Sequence, residues 1–181
     1  MTKSRVMVVT GGARGIGYAV VRDLAERGYS VVLADRDGAE SSAASLQTQG
    51  LSVRGFAVDV ADEGRVADLM DFAEECFGAV HGLVNNAGIY SSLTPKAFEE
   101  LTVQDWQQVL NVNVIGLFNC CKHVMPVFRR AGQGSIVNIS SMAADRADRS
   151  ALDQSCNSKG SSMLAATLRQ SNRPGCWKTM P

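Results

Sequence analysis

Short runs of apolar residues rich in Val and Ile alternate along most of the chain with longer stretches in which apolar residues recur every third or fourth position. Short continuous apolar runs are typical of buried strands, and the longer spacing is typical of amphipathic helices. The predicted strands cover residues 6–9, 31–34, 53–58, 83–84 and 136–139. The predicted helices cover residues 15–27, 39–48, 63–77 and 113–130.

The last of these helices has the clearest apolar stripe. The residues predicted to lie on this one stripe are Val114, Leu117, Phe118, Cys121, Val124, Met125 and Phe128.

Regular alternation of strands and helices, with strands that are apolar throughout, indicates a parallel sheet covered on both faces. Right-handed crossovers then predict an α/β fold, a Rossmann-type doubly wound parallel sheet in three αβα layers. Ligands of such sheets bind at the carboxyl ends of the strands, so the residues that follow each strand are the candidates for function.

Composition places the chain among ordinary folded domains. Its 181 residues predict a single domain over 1–181, with 45% hydrophobic and 20% charged residues. Because 18 basic residues balance 18 acidic ones, charge offers no argument for a nucleic acid or an anionic membrane as partner. No apolar run is long enough to predict a membrane span, and the apolar run near the N-terminus is too short for a signal-peptide core.

The five cysteines include no C-x-x-C pair, which favours reduced thiols in a cytoplasmic protein over a disulfide framework. His81 and His123 lack the spacing of metal ligands, so no metal site is predicted.

A glycine-rich turn, residues 10–17, follows the first predicted strand. Glycines at Gly11, Gly15 and Gly17 let the backbone approach a pyrophosphate, and the next helix would direct free N–H groups at it. A plain glycine turn is the alternative. The position of residues 10–17 between a predicted strand and a predicted helix favours dinucleotide binding over that alternative.

Asp35 follows the second predicted strand. A carboxylate there can accept hydrogen bonds from the ribose hydroxyls of adenosine and would repel a 2′-phosphate, which favours NAD over NADP. Arg14 and Arg36 lie nearby in sequence and could instead pair with that phosphate. A third alternative is that Asp35 only caps a turn.

Polar or small residues also follow the other strands. They are Asp59-Val60, Asn85-Asn86-Ala87-Gly88 and Ser140-Ser141. Each is ordinary turn chemistry when taken singly, and the order in which they occur is the informative feature.

In that order they resemble the short-chain dehydrogenase/reductase family. The resemblance rests on T-G-x-x-x-G-x-G at 10–17, the acidic residue at 35, D-V at 59–60, N-N-A-G at 85–88, Trp106 with N-V-N-V at 111–114, and G-S-I-V-N-I-S-S at 134–141. It implies a Rossmann-type fold and hydride transfer between NAD(P) and an alcohol or ketone.

The resemblance also assigns roles by position. Gly11, Arg14, Gly15, Ile16 and Gly17 would line the pyrophosphate. The remaining assignments are Asp59 and Val60 at the adenine, Asn86, Ala87 and Gly88 behind the nicotinamide ribose, Ser141 at the substrate oxygen, Asn113 at a water of the proton relay, and Lys159, Pro174 and Gly175 at the cofactor.

One position departs from the family pattern. The expected Y-x-x-x-K reads Ser155-Cys156-Asn157-Ser158-Lys159, so Ser155 stands where the acid/base tyrosine is expected. An aliphatic hydroxyl is a much weaker acid than a phenol, and loss of a positioned acid/base costs about 10²–10⁴-fold in rate. Of the other tyrosines, only Tyr90 is predicted near the cleft, as part of its wall.

The C-terminal segment departs as well. Resemblance is continuous over about residues 1–150 and extends to Lys159, while 161–181 is shorter than the family pattern. Residues 168–173, where a sixth strand is expected, are largely polar, so the last strands and the substrate-covering segment are expected to be missing.

Three interpretations follow: an NAD(P)-dependent oxidoreductase with impaired turnover, an NAD-binding module without efficient chemistry, or a truncated product that folds poorly. Family substrates include sugars, steroids, fatty acyl chains and simple alcohols, and the sequence does not select among them. A homo-oligomer through the 113–130 helix is the partner that the resemblance suggests.

Overall fold

The apolar runs form the strands of one parallel sheet. The computed structural model describes residues 4–89 and 98–140. The strands are β1 (Val6–Thr10), β2 (Ser30–Asp35), β3 (Val53–Ala57), β4 (Gly82–Asn85) and β5 (Ser135–Asn138). The helices are α1 (Gly15–Glu26), α2 (Ala39–Gln47), α3 (Glu63–Phe77), α4 (Val103–Leu110) and α5 (Leu117–Ala131). All five predicted strands are confirmed, and no bound shifts by more than one residue.

The strand order is β3-β2-β1-β4-β5, and every neighbouring pair is parallel. The chain therefore builds outward from β1 to β3 and then crosses back to lay β4 on the other side of β1. Val9 of β1 lies between Leu33 of β2 and Val84 of β4. This reversal opens a crevice above the carboxyl ends of β1 and β4, where doubly wound sheets bind their ligands.

Alternate residues of the central strands feed two separate cores, one on each face of the sheet. Val8 points into the core shared with α3 and α5, whereas its neighbour Val9 points into the core shared with α1 and α2. Both side chains are fully buried. The predicted three-layer αβα architecture is confirmed, and its physical basis is that β1 and β2 have no solvent-facing side.

The segment before α5 differs from the prediction. Helix α4 was not predicted, although Thr102 and Asp105 form the capping box that begins it. Residues Asn111–Gly116 form a π-helix between α4 and α5. Within α5 most of the apolar stripe is buried, but Phe118 is 46% exposed, and Cys120 and Val127 are buried as well.

Strand β5 differs from the central strands in being only partly buried. Among the described residues it pairs on one side only, with β4, and Val137 is exposed. The expectation that later strands are missing concerns residues 141–181, which lie outside the described part of the chain.

Candidate functional site

A cleft of about 350 Å³ lies at the carboxyl ends of β1, β2, β3 and β4. It brings together segments that are far apart in the sequence. Its lining residues are Gly11, Arg14, Gly15, Ile16, Asp35, Arg36, Asp37, Val58, Asp59, Val60, Asn86, Ala87, Gly88, Ile89 and Val112. Ten of the predicted site residues are among them, whereas Gly17 and Asn113 are not.

The glycine turn forms one wall of this cleft. Gly11 and Gly15 have φ values of +63° and +56°, a conformation that favours glycine. A side chain on Gly11 would also meet the Ala87 Cα at 2.9 Å. Helix α1 begins directly after the turn, and the side chain of its N-cap residue, Arg14, makes no capping hydrogen bond. Its first N–H groups are therefore available to an anion in the cleft.

Gly17 acts from behind the turn by allowing two main-chain segments to meet. A Cβ at Gly17 would overlap the Gly11 carbonyl oxygen and lie 2.5 Å from Nδ2 of Asn86. That amide nitrogen donates to the carbonyl oxygens of Thr10 and Gly11, at 3.1 and 2.9 Å. The absence of a side chain at Gly17 thus keeps the turn in contact with the segment that follows β4.

Thr10 joins the same two segments through its hydroxyl. Its Oγ1 accepts from the N–H groups of Asn86 and Ala87, both at 3.1 Å, and donates to the Val84 carbonyl at 3.4 Å. Thr10 is buried at 1% exposure. The start of the Asn86–Gly88 turn is therefore held rigidly against the end of β1.

Asp35 has the turn-capping contacts that were one of its three interpretations. Its Oδ2 accepts from the Ala13 N–H at 2.9 Å, and its Oδ1 accepts from the Asp37 N–H at 3.3 Å. Each carboxylate oxygen can accept more than one hydrogen bond, so these contacts leave capacity for a ligand. Of the two nearby arginines, Arg36 pairs with Asp37 at 3.1 Å, and both side chains are exposed.

Asn113 lies in the π-helix and binds the main chain of Ile89 in both directions. Its Oδ1 accepts from the Ile89 N–H at 2.9 Å, and its Nδ2 donates to the Ile89 carbonyl at 3.2 Å. The side chain therefore holds the end of the 86–89 segment. The family resemblance places Asn113 at a water of the proton relay, and this main-chain contact is not part of that expectation.

Two adjacent buried cysteines lie beneath the cleft. Burial raises the pKa of Cys120 to about 12 and that of Cys121 to about 11. Nδ2 of Asn85 donates to Sγ of Cys121 at 3.3 Å and to Oδ1 of Asn138 at 2.8 Å, which links β4 to β5. Since only the thiolate is strongly nucleophilic, neither cysteine is suited to covalent chemistry at neutral pH.

Several predicted residues lie outside the described part of the chain. These are Tyr90, Ser141, Ser155, Lys159, Pro174 and Gly175. Conversely, sequence reasoning missed Asn119, a buried residue of α5 that contacts the cleft wall at Val60. An asparagine within an apolar helical stripe was the available signal. None of the helices in 4–89 and 98–140 combines the length and apolar character needed to span a membrane.

Comparison with known proteins adds a family and several relatives. The family model for short chain dehydrogenase matches residues 5–172. Cis-4-hydroxycyclohexanecarboxylate dehydrogenase of Sinomonas cyclohexanicum is 44% identical over 139 residues, covering 76% of this chain and 55% of that protein. D-threitol dehydrogenase of Mycolicibacterium smegmatis is 41% identical over 142 residues, covering 77% of this chain and 54% of that protein.

A third relative, the 3-alpha-(or 20-beta)-hydroxysteroid dehydrogenase of Mycobacterium bovis, is 36% identical over 138 residues, covering 76% of this chain and 52% of that protein. The crystal structure of gox2181 superposes with a TM-score of 0.87 at 30% identity, covering 93% of this chain and 66% of the other. The chain spans about half the length of the curated relatives it matches.

Proposed function

The chain belongs to the short-chain dehydrogenase family, and we propose that its cleft binds a nicotinamide dinucleotide for the oxidation or reduction of a small alcohol or ketone. The observation that carries this proposal is the meeting of the glycine turn, the uncapped start of α1 and the Asn86–Gly88 segment on one cleft. The relatives are named for a hydroxycyclohexanecarboxylate, threitol and a hydroxysteroid, all alcohols.

The residues present fit such a cofactor. A Cβ at Gly11 would fill the space against Ala87, and the start of α1 offers N–H groups and a positive dipole for a pyrophosphate. Val58 and Val60 provide buried apolar walls beside Asp59, suited to a flat base. When bound, the nicotinamide ring supplies or accepts the hydride, which no protein side chain can do.

NAD is the proposed cofactor. Asp35 lies at the cleft with two backbone contacts that orient its carboxylate, and a negative charge there opposes a 2′-phosphate. Arg36 is partly neutralised by its pairing with Asp37, which weakens the case for NADP. Arg14 lines the cleft and has no ion pair among the described residues, so it is the remaining argument for a 2′-phosphate.

The chemical step requires a group that holds the substrate oxygen and a group that moves a proton. By their match to the family motifs, Ser141 would bind that oxygen, Lys159 would bind the nicotinamide ribose, and Asn113 would support the proton relay. Ser155 would have to transfer the proton through water, because it is shorter and far less acidic than tyrosine. We therefore propose impaired turnover, with dinucleotide binding retained.

A homo-oligomer through the 113–130 segment is also proposed. Ile115 and Phe118 are apolar residues of this segment, and they are 45% and 46% exposed. Exposed apolar side chains close together on one helical segment are suited to an interface with a second copy. Size-exclusion chromatography with light scattering should show a Phe118→Lys variant with a smaller mass than the unmodified chain if this face is used.

The first experiment is a thermal melt of the purified chain, alone and with NAD or NADP. Ligand at about 100 times its dissociation constant should add about 2.7 kcal/mol, equal to roughly 5–11 °C for this size. We expect a larger shift with NAD. Asp35→Asn should reduce the preference for NAD about tenfold or more, because the like-charge repulsion is removed, whereas exposed Asp71→Asn on α3 should leave it unchanged.

Each alternative has its own outcome in that melt. A shift with neither dinucleotide would contradict the proposed binding. Absence of any cooperative transition would support the poorly folding product. An equal or larger shift with NADP would contradict the assigned preference while leaving the dinucleotide site in place.

The second experiment restores the missing phenol. Ser155→Tyr should raise turnover of a secondary alcohol with NAD by about 10²–10⁴-fold, with the dissociation constant for NAD little changed. Ser158→Tyr, which places the same ring next to Lys159, is the matched control and should not raise turnover. If Ser155→Tyr binds NAD and remains as slow as the unmodified chain, the missing tyrosine is not what limits the rate, and the binding-module interpretation gains support.

A further inference from the structure

Helix α5 reaches the cleft wall from behind through one buried asparagine. Asn119 is 2% exposed, and its Nδ2 donates to the carbonyl oxygen of Val60 at 3.0 Å. Its neighbours on the helix, Cys120 and Cys121, are also buried. Burying an amide among apolar groups is unfavourable unless it is hydrogen-bonded, so this bond is what stabilises an asparagine at this position.

The bond fixes one end of a peptide group whose other end faces the cleft residue Asp59. In a trans peptide the C=O and N–H point in opposite directions. The Val60 carbonyl is held by Asn119, and the Ala61 N–H of the same peptide donates to Oδ1 of Asp59 at 2.9 Å. The direction of the Asp59 carboxylate is therefore set through this peptide by Asn119.

Close packing supports the same arrangement. A Cβ at Gly116, one turn before Asn119, would lie 3.0 Å from the Cβ of Val60. Gly116 thus lets the helix approach near enough for the amide of Asn119 to reach the Val60 carbonyl. The other end of the segment is fixed as well, because the Val58 N–H donates to the Asp35 carbonyl at 2.9 Å.

The carboxylate held in this way presents one oxygen for a ligand. Oδ1 of Asp59 is engaged by Ala61, and Oδ2 has no hydrogen bond among the described residues. An ionised carboxylate only accepts hydrogen bonds. It therefore suits a base with an amino group, such as adenine, and opposes one with a carbonyl at the same position, such as hypoxanthine.

We propose that Asn119 is a positioning residue for the base-binding end of the cleft. By holding the peptide between Val60 and Ala61, it directs the Asp59 carboxylate at an amino group on the base and so favours adenine over hypoxanthine. This inference rests on the proposed dinucleotide binding.

The test compares the dissociation constants of NAD and nicotinamide hypoxanthine dinucleotide by calorimetry. The unmodified chain should prefer NAD, and Asn119→Leu, which has similar volume and no donor, should reduce that preference about 3- to 10-fold. Asn119→Ser, whose hydroxyl is too short to reach Val60, should do the same and remains available if the leucine variant does not fold. Val124→Ala, at a fully buried α5 position whose side chain cannot donate a hydrogen bond to Val60, should lower stability without changing the preference.

A double-variant cycle tests whether Asn119 acts through Asp59. Asp59→Ala should remove most of the preference, and adding Asn119→Leu to it should change the preference little further. An unchanged preference in both Asn119 variants, or an equal loss in Val124→Ala, would show that Asn119 is merely structural and overturn the inference, while the dinucleotide proposal would stand. Failure of the unmodified chain to bind either dinucleotide would overturn both.

Discussion

On the β1 side of the cleft, glycines without side chains let the main chain approach the segment that follows β4. On the β4 side, asparagine side chains form hydrogen bonds to main-chain groups of neighbouring segments. Gly11 and Gly17 let the turn after β1 approach Ala87 and Asn86. Beyond β4, the amides of Asn86 and Asn113 bind main-chain groups of Gly11 and Ile89. Glycine thus permits close main-chain contact, and asparagine spans a larger separation with a side chain that both donates and accepts hydrogen bonds.

The glycine contacts and the asparagine hydrogen bonds differ in how their residues are placed along the sequence. The glycine turn lies within eight consecutive residues, 10–17. The bond from Asn86 to Gly11 joins residues 75 apart, and that from Asn119 to Val60 joins residues 59 apart. A local sequence motif identifies the glycine turn, but the asparagine hydrogen bonds depend on which strands become neighbours.

Gly17→Ala should break the glycine side and have the largest effect. The added methyl group would overlap the Gly11 carbonyl and displace the Asn86 amide, so we expect a loss of about 3 kcal/mol or more in the free energy of unfolding. NAD should no longer shift the melt. Gly64→Ala in the first turn of α3, where an added Cβ meets only Oδ1 of Asp62 at 3.4 Å, should be neutral or slightly stabilising. Equal behaviour of the two variants would contradict the role given to Gly17.

Asn113→Leu should break the asparagine side with a smaller effect. It leaves the N–H and C=O of Ile89 without their partner, which we expect to cost about 1–3 kcal/mol in urea denaturation. Asn111→Leu, at an exposed position of the same π-helix, should change stability by less than about 0.5 kcal/mol. If both variants unfold at the same urea concentration as the unmodified chain, the Ile89 contact contributes no stability.

Glu63→Gln should have the smallest effect, because the contacts of Glu63 with Lys122 and His123 lie on the surface and involve none of the cleft-lining residues. Hydrogen bonds from Lys122 and then from His123 lower the pKa of Glu63 below its usual value of 4.5. Since the folded-state pKa is the lower one, the stabilisation is present above about pH 4.5 and is lost as the pH falls through the folded value.

Melting curves should therefore show the unmodified chain slightly more stable than Glu63→Gln at pH 6 and equal to it near the acid end of the folded range. Glu75→Gln, which removes an exposed carboxylate from the same helix, is the matched control. A difference between Glu63→Gln and the unmodified chain that does not change with pH would exclude the ion pair as its cause.

The sequence predicted the strands well because β1 and β2 are buried on both faces. Their central residues are therefore apolar, and a continuous Val-rich run has few other interpretations. Prediction was weaker for residues 98–116, where the helix-capping signal at Thr102 was short and the π-helix changed the periodicity.

For the site, sequence reasoning identified the residues at the strand ends but not the contacts that hold them. Asp35 illustrates this, because its position at the carboxyl end of the second strand was predicted, whereas the hydrogen bond from Ala13 that orients it appears only in the folded chain. Asn119 was not selected at all: an asparagine within an apolar stripe indicates a buried polar contact, but its partner Val60 lies 59 residues away in the sequence.

The sequence by itself determined the alternation of strands and helices, the parallel sheet, and the strand-end motifs of a dinucleotide-binding family. These are local properties, set by burial and by the turn chemistry of neighbouring residues. Only the tertiary structure decided the order β3-β2-β1-β4-β5, the π-helix at 111–116, and the asparagine bonds that support the cleft. Those depend on which distant segments meet, and a hydrogen bond across 59 or 75 residues leaves no periodic trace in the chain.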